Sequence, residues 1–265
     1  MFWPLWLILK LGLRMRLIVF SFFAGFAAAL LVQLREEQRT WGVMPKDAER
    51  ELPGDELIAV ADVSETRSLP IAAAPEAVWP WLVQMGFGRG GWYSYDKMDM
   101  DGSSADSILA DFQDLAVGDI VPTHPGGGFE ARIVEPERAL VLYLDSELVN
   151  GELEAAEDEA EVADGDESVP ISLGAAGALG DFAMPDFRAT WAFVLEPEPD
   201  GSTRLVERMR FWTGDGGMPQ RLGLPFMGLG VFVMTRKHML GVKERAERLA
   251  AGADDATPVS EPVEA

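Results

Sequence analysis

The chain has no cysteine among its 265 residues and only two histidines. Without thiols there is no disulfide framework, no CxxC redox centre, no thiolate zinc site and no cysteine nucleophile. His124 and His238 alone cannot build a His-rich metal centre. Basic residues are also scarce: 22 Lys and Arg stand against 44 Asp and Glu, a formal net charge of −22. Nucleic-acid affinity rests on clustered Lys and Arg, so that class of partner is excluded. Apolar residues, at 48% with 9% aromatics, are plentiful enough for a real core.

Residues 17–34 read LIVFSFFAGFAAALLVQL, without a charge. Eighteen residues at 1.5 Å each span ~27 Å as a helix, close to the ~30 Å of bilayer hydrocarbon. Lys10, Arg14 and Arg16 precede this run, and Arg35, Glu36, Glu37 and Arg39 close it. A cleaved signal peptide is the competing reading. The run is longer than an ordinary signal core, and Ala27, Ala28 and Ala29 lead into LLV rather than a polar start. An uncleaved anchor is therefore expected over residues 1–34, with Trp3 and Trp6 suited to the interface. The location expected is the cell membrane, through a single pass. Basic residues on both flanks leave open which side carries the rest of the chain.

Composition divides the chain beyond residue 34. Residues 35–64 are polar, with Pro45, Pro53 and Gly54, and are expected as a stalk. Residues 65–251 carry the regular patterns of a domain. Within it, 145–168 holds eleven acidic residues and no basic one, the composition of a solvated mobile insert. No D-x-[DN]-x-[DN]-G loop accompanies those acids, so no calcium site is read there and no metal is expected. Residues 252–265 are expected as a disordered acidic tail.

The domain reads strand, helix, several strands, long helix. The first strand is expected over 66–72, with Leu69 and Ile71 alternating. Pro75 then opens a helix over 75–85, whose Val78, Trp81, Leu82 and Met85 form a helical stripe. Pro80 inside it predicts a short or kinked helix. Further strands are expected over 119–123, 129–135, 139–144, 188–196 and 203–213, with short polar turns that imply antiparallel pairing. A long amphipathic helix closes the order, with Val231, Thr235, Met239, Val242, Ala246 and Leu249 on one face. His238 falls at the border of that face, where a structural role outweighs a catalytic one.

This order resembles the helix-grip fold of the START-like, polyketide-cyclase-like superfamily (SRPBCC). The phrases that carry the resemblance are PIAAAPEAVWPWLVQMGFGRGGWYSYD (70–96), SADSILADFQDLAVGD (103–119), TWAFVLEPEPDGSTRLVER (190–208) and VMTRKHMLGVKERAER (233–248). The first run looks like a bacterial membrane-associated branch of that superfamily. The resemblance implies an α+β fold, a curved antiparallel sheet of six to seven strands wrapped around the C-terminal helix. It also implies an apolar cavity for lipid, isoprenoid or polyketide-like molecules. It implies no common catalytic set and no cofactor. Six strands are counted here, and a seventh would have to sit beside or inside the acidic insert.

Several motifs carry candidate chemistry. Gly86-Phe-Gly-Arg-Gly-Gly91 matches G-x-G-x-x-G, but it follows a helix instead of a strand, so a helix stop and turn is the better reading than a dinucleotide site. Arg89, Trp92, Tyr93 and Tyr95, with Asp96, either line a ligand entrance or form a packed loop. On the strand over 203–213, Leu205, Glu207, Met209 and Phe211 share one face. Glu207 is then an interior carboxylate with a raised pKa, a candidate general acid or base, unless a neighbouring Arg pairs it. Trp191 and Phe193 alternate on the adjacent strand and would serve as core or cavity wall. The candidate ligand-binding set is Trp81, Met85, Arg89, Trp92, Tyr93, Tyr95, Trp191, Phe193, Glu207 and Met209. No Ser-His-Asp or P-loop arrangement is present.

Three functions are compatible with these residues. The expected one is a membrane-anchored binding domain for a hydrophobic small molecule, tied to the bilayer through 17–34. The alternatives are a cyclase- or dehydratase-type enzyme using Glu207 or the Tyr93/Tyr95/Asp96 group, and a non-catalytic interaction module docking through the acidic insert.

Overall fold

Alternation of apolar and polar residues builds six strands: β1 (Val63–Ile71), β2 (Ile120–His124), β3 (Gly127–Glu135), β4 (Ala139–Asp145), β5 (Phe187–Pro197) and β6 (Thr203–Thr213). They form one antiparallel sheet in the order β1-β6-β5-β4-β3-β2. The computed structural model describes residues 38–99, 102–124, 127–149, 186–214 and 218–252, with Ser21 and Arg35. Register shifts at Pro122/His124 and Ala131/Ile133 bend the edge of the sheet, as bulges do. No seventh strand is found among the described residues.

Among the described residues, these helices accompany the sheet with both ends given, in chain order: α1 (Pro45–Ala48), α2 (Pro75–Val83), α3 (Asp96–Asp99) and α4 (Met218–Ala250). Pro75 stands in the first turn of α2, where its missing N–H is harmless. Pro80 stands inside α2, which ends at Val83, the short helix that the sequence predicts. Val78, Trp81 and Leu82 of α2 are buried, and so are Thr235, Met239, Val242 and Ala246 of α4. Arg236, Lys237 and Glu244 lie on the opposite, exposed side of α4.

Pairing fixes which side chains meet the helices. Leu195 pairs with Leu205, Phe193 with Glu207 and Trp191 with Met209. Leu140 and Leu142 stand opposite Phe193 and Trp191 in turn. With Leu69 and Ile71 these residues make one core together with α2 and α4. The result is an α+β fold, and the six-stranded sheet with its C-terminal helix is compatible with a helix grip.

The polar segment expected as a stalk is packed: residues 38–42 run along β1, with Trp41 against Phe232 of α4, and residues 48–58 lie against the outer face of the sheet. Arg208, on β6, is 2% exposed. Its guanidinium donates to the Arg50 carbonyl at 2.7 Å, to the Ala48 carbonyl and Asp55 at 2.5 Å, and to Thr66 Oγ1 at 2.9 Å. Leu52 packs on Val194 and Val206. The segment's apolar residues are too few and too irregularly spaced to show a period, so the sequence reads as linker although the segment is packed.

The expected anchor over 17–34 lies outside the described residues except for Ser21, as do residues 150–185 of the chain around the acidic insert and 253–265 of the tail. No helix among the described residues is long and apolar enough to cross a membrane.

Candidate functional site

Between sheet and α4, the space expected to be a cavity holds a cluster of rings. Trp191 is central: its ring lies 5.5 Å from Trp92, nearly parallel, 5.0 Å from Phe193 and 5.9 Å from Phe129. Tyr93 meets Trp81 edge-on at 5.9 Å. Such offset and edge-to-face contacts add to the burial of large apolar areas. Trp81, Met85, Trp92, Tyr93, Trp191 and Phe193 are all buried here, and Met209 is half-buried.

The Gly-rich turn delivers Trp92 and Tyr93 into this cluster. Gly86 (φ 126°) ends the α2 segment and bridges to Gly91. A Cβ at Gly90 would stand 2.8 Å from the Tyr93 hydroxyl and the Gln84 carbonyl, so no side chain fits there. Tyr93 itself has φ 53°, an uncommon value for a residue with a side chain. It is held by its hydroxyl donating to the Trp81 carbonyl at 3.1 Å, and by its N–H donating to Ser104 Oγ at 2.9 Å. Burial raises the Tyr93 hydroxyl pKa well above its ordinary value, so it stays protonated.

Glu207 is fully buried on the same face, as its parity in β6 predicts. The Trp191 indole N–H donates to its Oε1 at 2.6 Å. Across the β1–β6 pairing stands Arg67, also fully buried. Arg67 Nη1 lies 3.6 Å from Glu207 Oε2. That is an ion-pair distance beyond hydrogen-bond reach, and neither atom has a hydrogen-bond partner. The other arms of Arg67 are committed, to Glu65 and to the Gln38 carbonyl. Burial raises the Glu207 pKa, against the opposing pull of Arg67 and the Trp191 hydrogen bond.

His238 of α4 is 2% exposed, and its ring lies 5.5 Å from both Trp191 and Phe193. Burial lowers its pKa to about 4, so it is neutral at pH 7. Nδ1 lies 2.7 Å from the Trp92 carbonyl oxygen, whereas Nε2 is buried without a partner.

Two of the ten sequence candidates lie apart from this cluster. Arg89 donates to the Val83 and Phe112 carbonyls and lies over the Phe112 ring, so it closes off α2 instead of facing the interior. Tyr95 is 41% exposed. Asp96 accepts from the Ser104 N–H and hydroxyl, which makes it a loop fastener. Arg67 and Glu65 are absent from the sequence candidates, although extending the Leu69/Ile71 alternation backwards puts both on the interior face. His238 stands at the border of the helical stripe, and the loop carrying Trp92 and Tyr93 covers that border.

A concavity lies on the other face of the sheet. It measures about 650 Å³ and is lined by Arg39, Asp55, Glu56, Thr66, Arg208 and Arg210 among others. Its arginines are engaged within it: Arg208 and Arg210 both pair with Asp55, and Arg210 also donates to the Ile58 carbonyl. Among the described residues no group of three or more His, Asp or Glu is placed to hold a metal ion.

No protein-family model matches the chain, and no curated protein matches it. Among solved structures, the chain is similar to protein MLL2253 from Mesorhizobium loti at 16% identity and a TM-score of 0.34, covering 70% of this chain and 98% of that one. It is similar to protein Ms6760 from Mycobacterium smegmatis at 12% identity and a TM-score of 0.31, covering 70% and 89%.

Proposed function

We propose that this chain is a START-like helix-grip protein that binds a hydrophobic small molecule between the sheet and α4, with residues 17–34 as its membrane anchor. The observation that carries this reading is the buried Arg67–Glu207 pair, whose Nη1 and Oε2 lack hydrogen bonds on an otherwise aromatic face. Idle polar atoms beside large apolar surfaces are what a mostly apolar guest with a few polar groups requires. Trp92, Trp191 and Phe193 would contact the apolar body, and the guest would displace ring–ring packing as it enters. A lipid, isoprenoid or polyketide-like molecule has that make-up.

The test is native mass spectrometry of the full chain after mild detergent extraction, with extraction and identification of bound lipids. A stoichiometric hydrophobic adduct that is lost in Arg67→Met supports the reading; an adduct-free protein under every extraction condition overturns it. Alkaline extraction of membranes tests the anchor, since an anchored chain stays in the pellet.

A second reading, acid–base catalysis on such a guest, is favoured by the raised Glu207 pKa. It requires that Glu207→Gln abolish turnover while the adduct is retained.

A further inference from the structure

The His238 imidazole has one committed nitrogen and one idle nitrogen. Nδ1 lies 2.7 Å from the Trp92 carbonyl oxygen, and a carbonyl only accepts, so the ring proton sits on Nδ1. Nε2 therefore carries a lone pair, buried and without a donor. No surrounding ring supplies one, and the buried Trp81 N–H is itself without a partner. The Trp191 N–H is taken by Glu207 and the Tyr93 hydroxyl by the Trp81 carbonyl, while Phe193 has no donor. Native interiors rarely leave such an atom unserved. Trp191 also connects it to the other idle pair: its ring is 5.5 Å from His238, and its N–H reaches the carboxylate beside Arg67.

We infer that His238 Nε2 determines the specificity of the proposed site, and that the guest is a neutral hydrophobic alcohol whose hydroxyl hydrogen it accepts. The inference rests on the small-molecule reading above and adds the guest's chemistry. A ketone, ester or ether offers only acceptors and leaves Nε2 unserved. A carboxylate has no proton to offer at neutral pH and meets Glu207 nearby. Any charged guest must also lose its hydration on entering a face lined by rings.

The test uses the full chain in detergent and three matched probes: 2-naphthol, 2-methoxynaphthalene and 2-naphthoate. Each is titrated calorimetrically, with a micelle blank subtracted. The naphthol is expected to bind about tenfold more tightly than its methyl ether, the size of one buried hydrogen bond. His238→Asn keeps a donor for the Trp92 carbonyl but lacks the outer nitrogen, and is expected to bind both probes equally. His238→Gln places an acceptor near the Nε2 position and is expected to restore the preference. Should the variants fail to fold, imidazole nitrogen NMR on the wild type still decides: the His238 Nε2 resonance moves on adding naphthol and not on adding the ether. Equal affinity for naphthol and ether, or an unmoved resonance, overturns the inference while hydrophobic binding stands. Binding of none of the three overturns both.

Discussion

Arg67 and Glu207 face each other across the β1–β6 pairing with 3.6 Å between Nη1 and Oε2. Glu65 shares the same guanidinium, so one buried cation serves two carboxylates. Removing the cation leaves Glu207 without its partner in a place water does not reach, and leaves the partly exposed Glu65 unpaired from it as well. Removing Glu207's charge leaves Arg67 still paired with Glu65.

Arg67→Met is therefore expected to lower unfolding free energy by about 3–5 kcal/mol, the range for a broken buried pair. Glu207→Gln is expected to have a clearly smaller effect. Urea denaturation of the two variants and of the double variant checks this. The double variant should recover part of the Arg67→Met loss, because it no longer contains one of the stranded charges. Equal losses in the two single variants would contradict the asymmetry.

The interior also makes stability depend on pH, with two opposed contributions. His238 has a folded pKa of about 4 against an ordinary 6.5, so the unfolded chain binds the extra proton between those values. Its contribution is complete above pH 6.5 and is lost as pH falls through 4, about 3 kcal/mol at ~1.4 kcal/mol per pH unit. Glu207 acts in reverse: its raised folded pKa means stability falls as pH climbs above the ordinary Glu value. In His238→Asn, the loss of stability on acidification from pH 6.5 to 4 should shrink. In Glu207→Gln, the same acidification should cost more stability than in the wild type. Denaturation midpoints at half-unit pH steps separate the two.

Much of this arrangement was legible in the residues. The order of the strands in the chain, their short turns and the burial of Glu207 all follow from parity and punctuation, which are local properties. The interior face of α4 follows from its 3.6-residue period. What was not legible depends on tertiary contact. His238 is buried because a loop 146 residues earlier in the chain lies over it, and no helical period contains that information. Residues 38–62 look like linker because their attachment is polar, through Arg208 and Arg210, with single apolar anchors such as Leu52 and Ile58. The closing of the expected cavity by rings was also out of reach, since Trp191 and Phe193 read the same as wall or as core.

The outer-face attachment gives a third prediction. Arg208 makes hydrogen bonds to Ala48, Arg50 and Asp55, which lie close together in residues 38–62. Arg208→Met removes them all while keeping much of the apolar stem. The segment is then expected to detach locally before the sheet unfolds, a low-energy opening of the kind protected regions lack. Limited proteolysis should cut within residues 38–62 faster than in the wild type, with the sheet fragments surviving. Cleavage spread evenly over the domain would argue that the segment and sheet unfold as one unit.

The last prediction concerns the contact between α4 and the Tyr93 loop. A Cβ at Gly241 would stand 2.2 Å from the Tyr93 carbonyl oxygen and 2.7 Å from its Cβ. Neither atom is the free end of a flexible side chain, and Tyr93 is already in a left-handed conformation, so the loop has little room to yield. Gly241→Ala gains helix propensity but forces helix and loop apart, and a net loss of about 1–3 kcal/mol is expected. Gly230, on the exposed side of the same helix, has no neighbour within 4 Å of the place a Cβ would take. Gly230→Ala is therefore expected to stabilise by up to about 1 kcal/mol through propensity alone. Opposite signs for one substitution in one helix, read by thermal or urea unfolding, would assign the difference to the Tyr93 contact. If Gly241→Ala stabilised as Gly230→Ala does, the loop would have to be free to move away from α4, and the burial of His238 beneath Trp92 would not hold in solution.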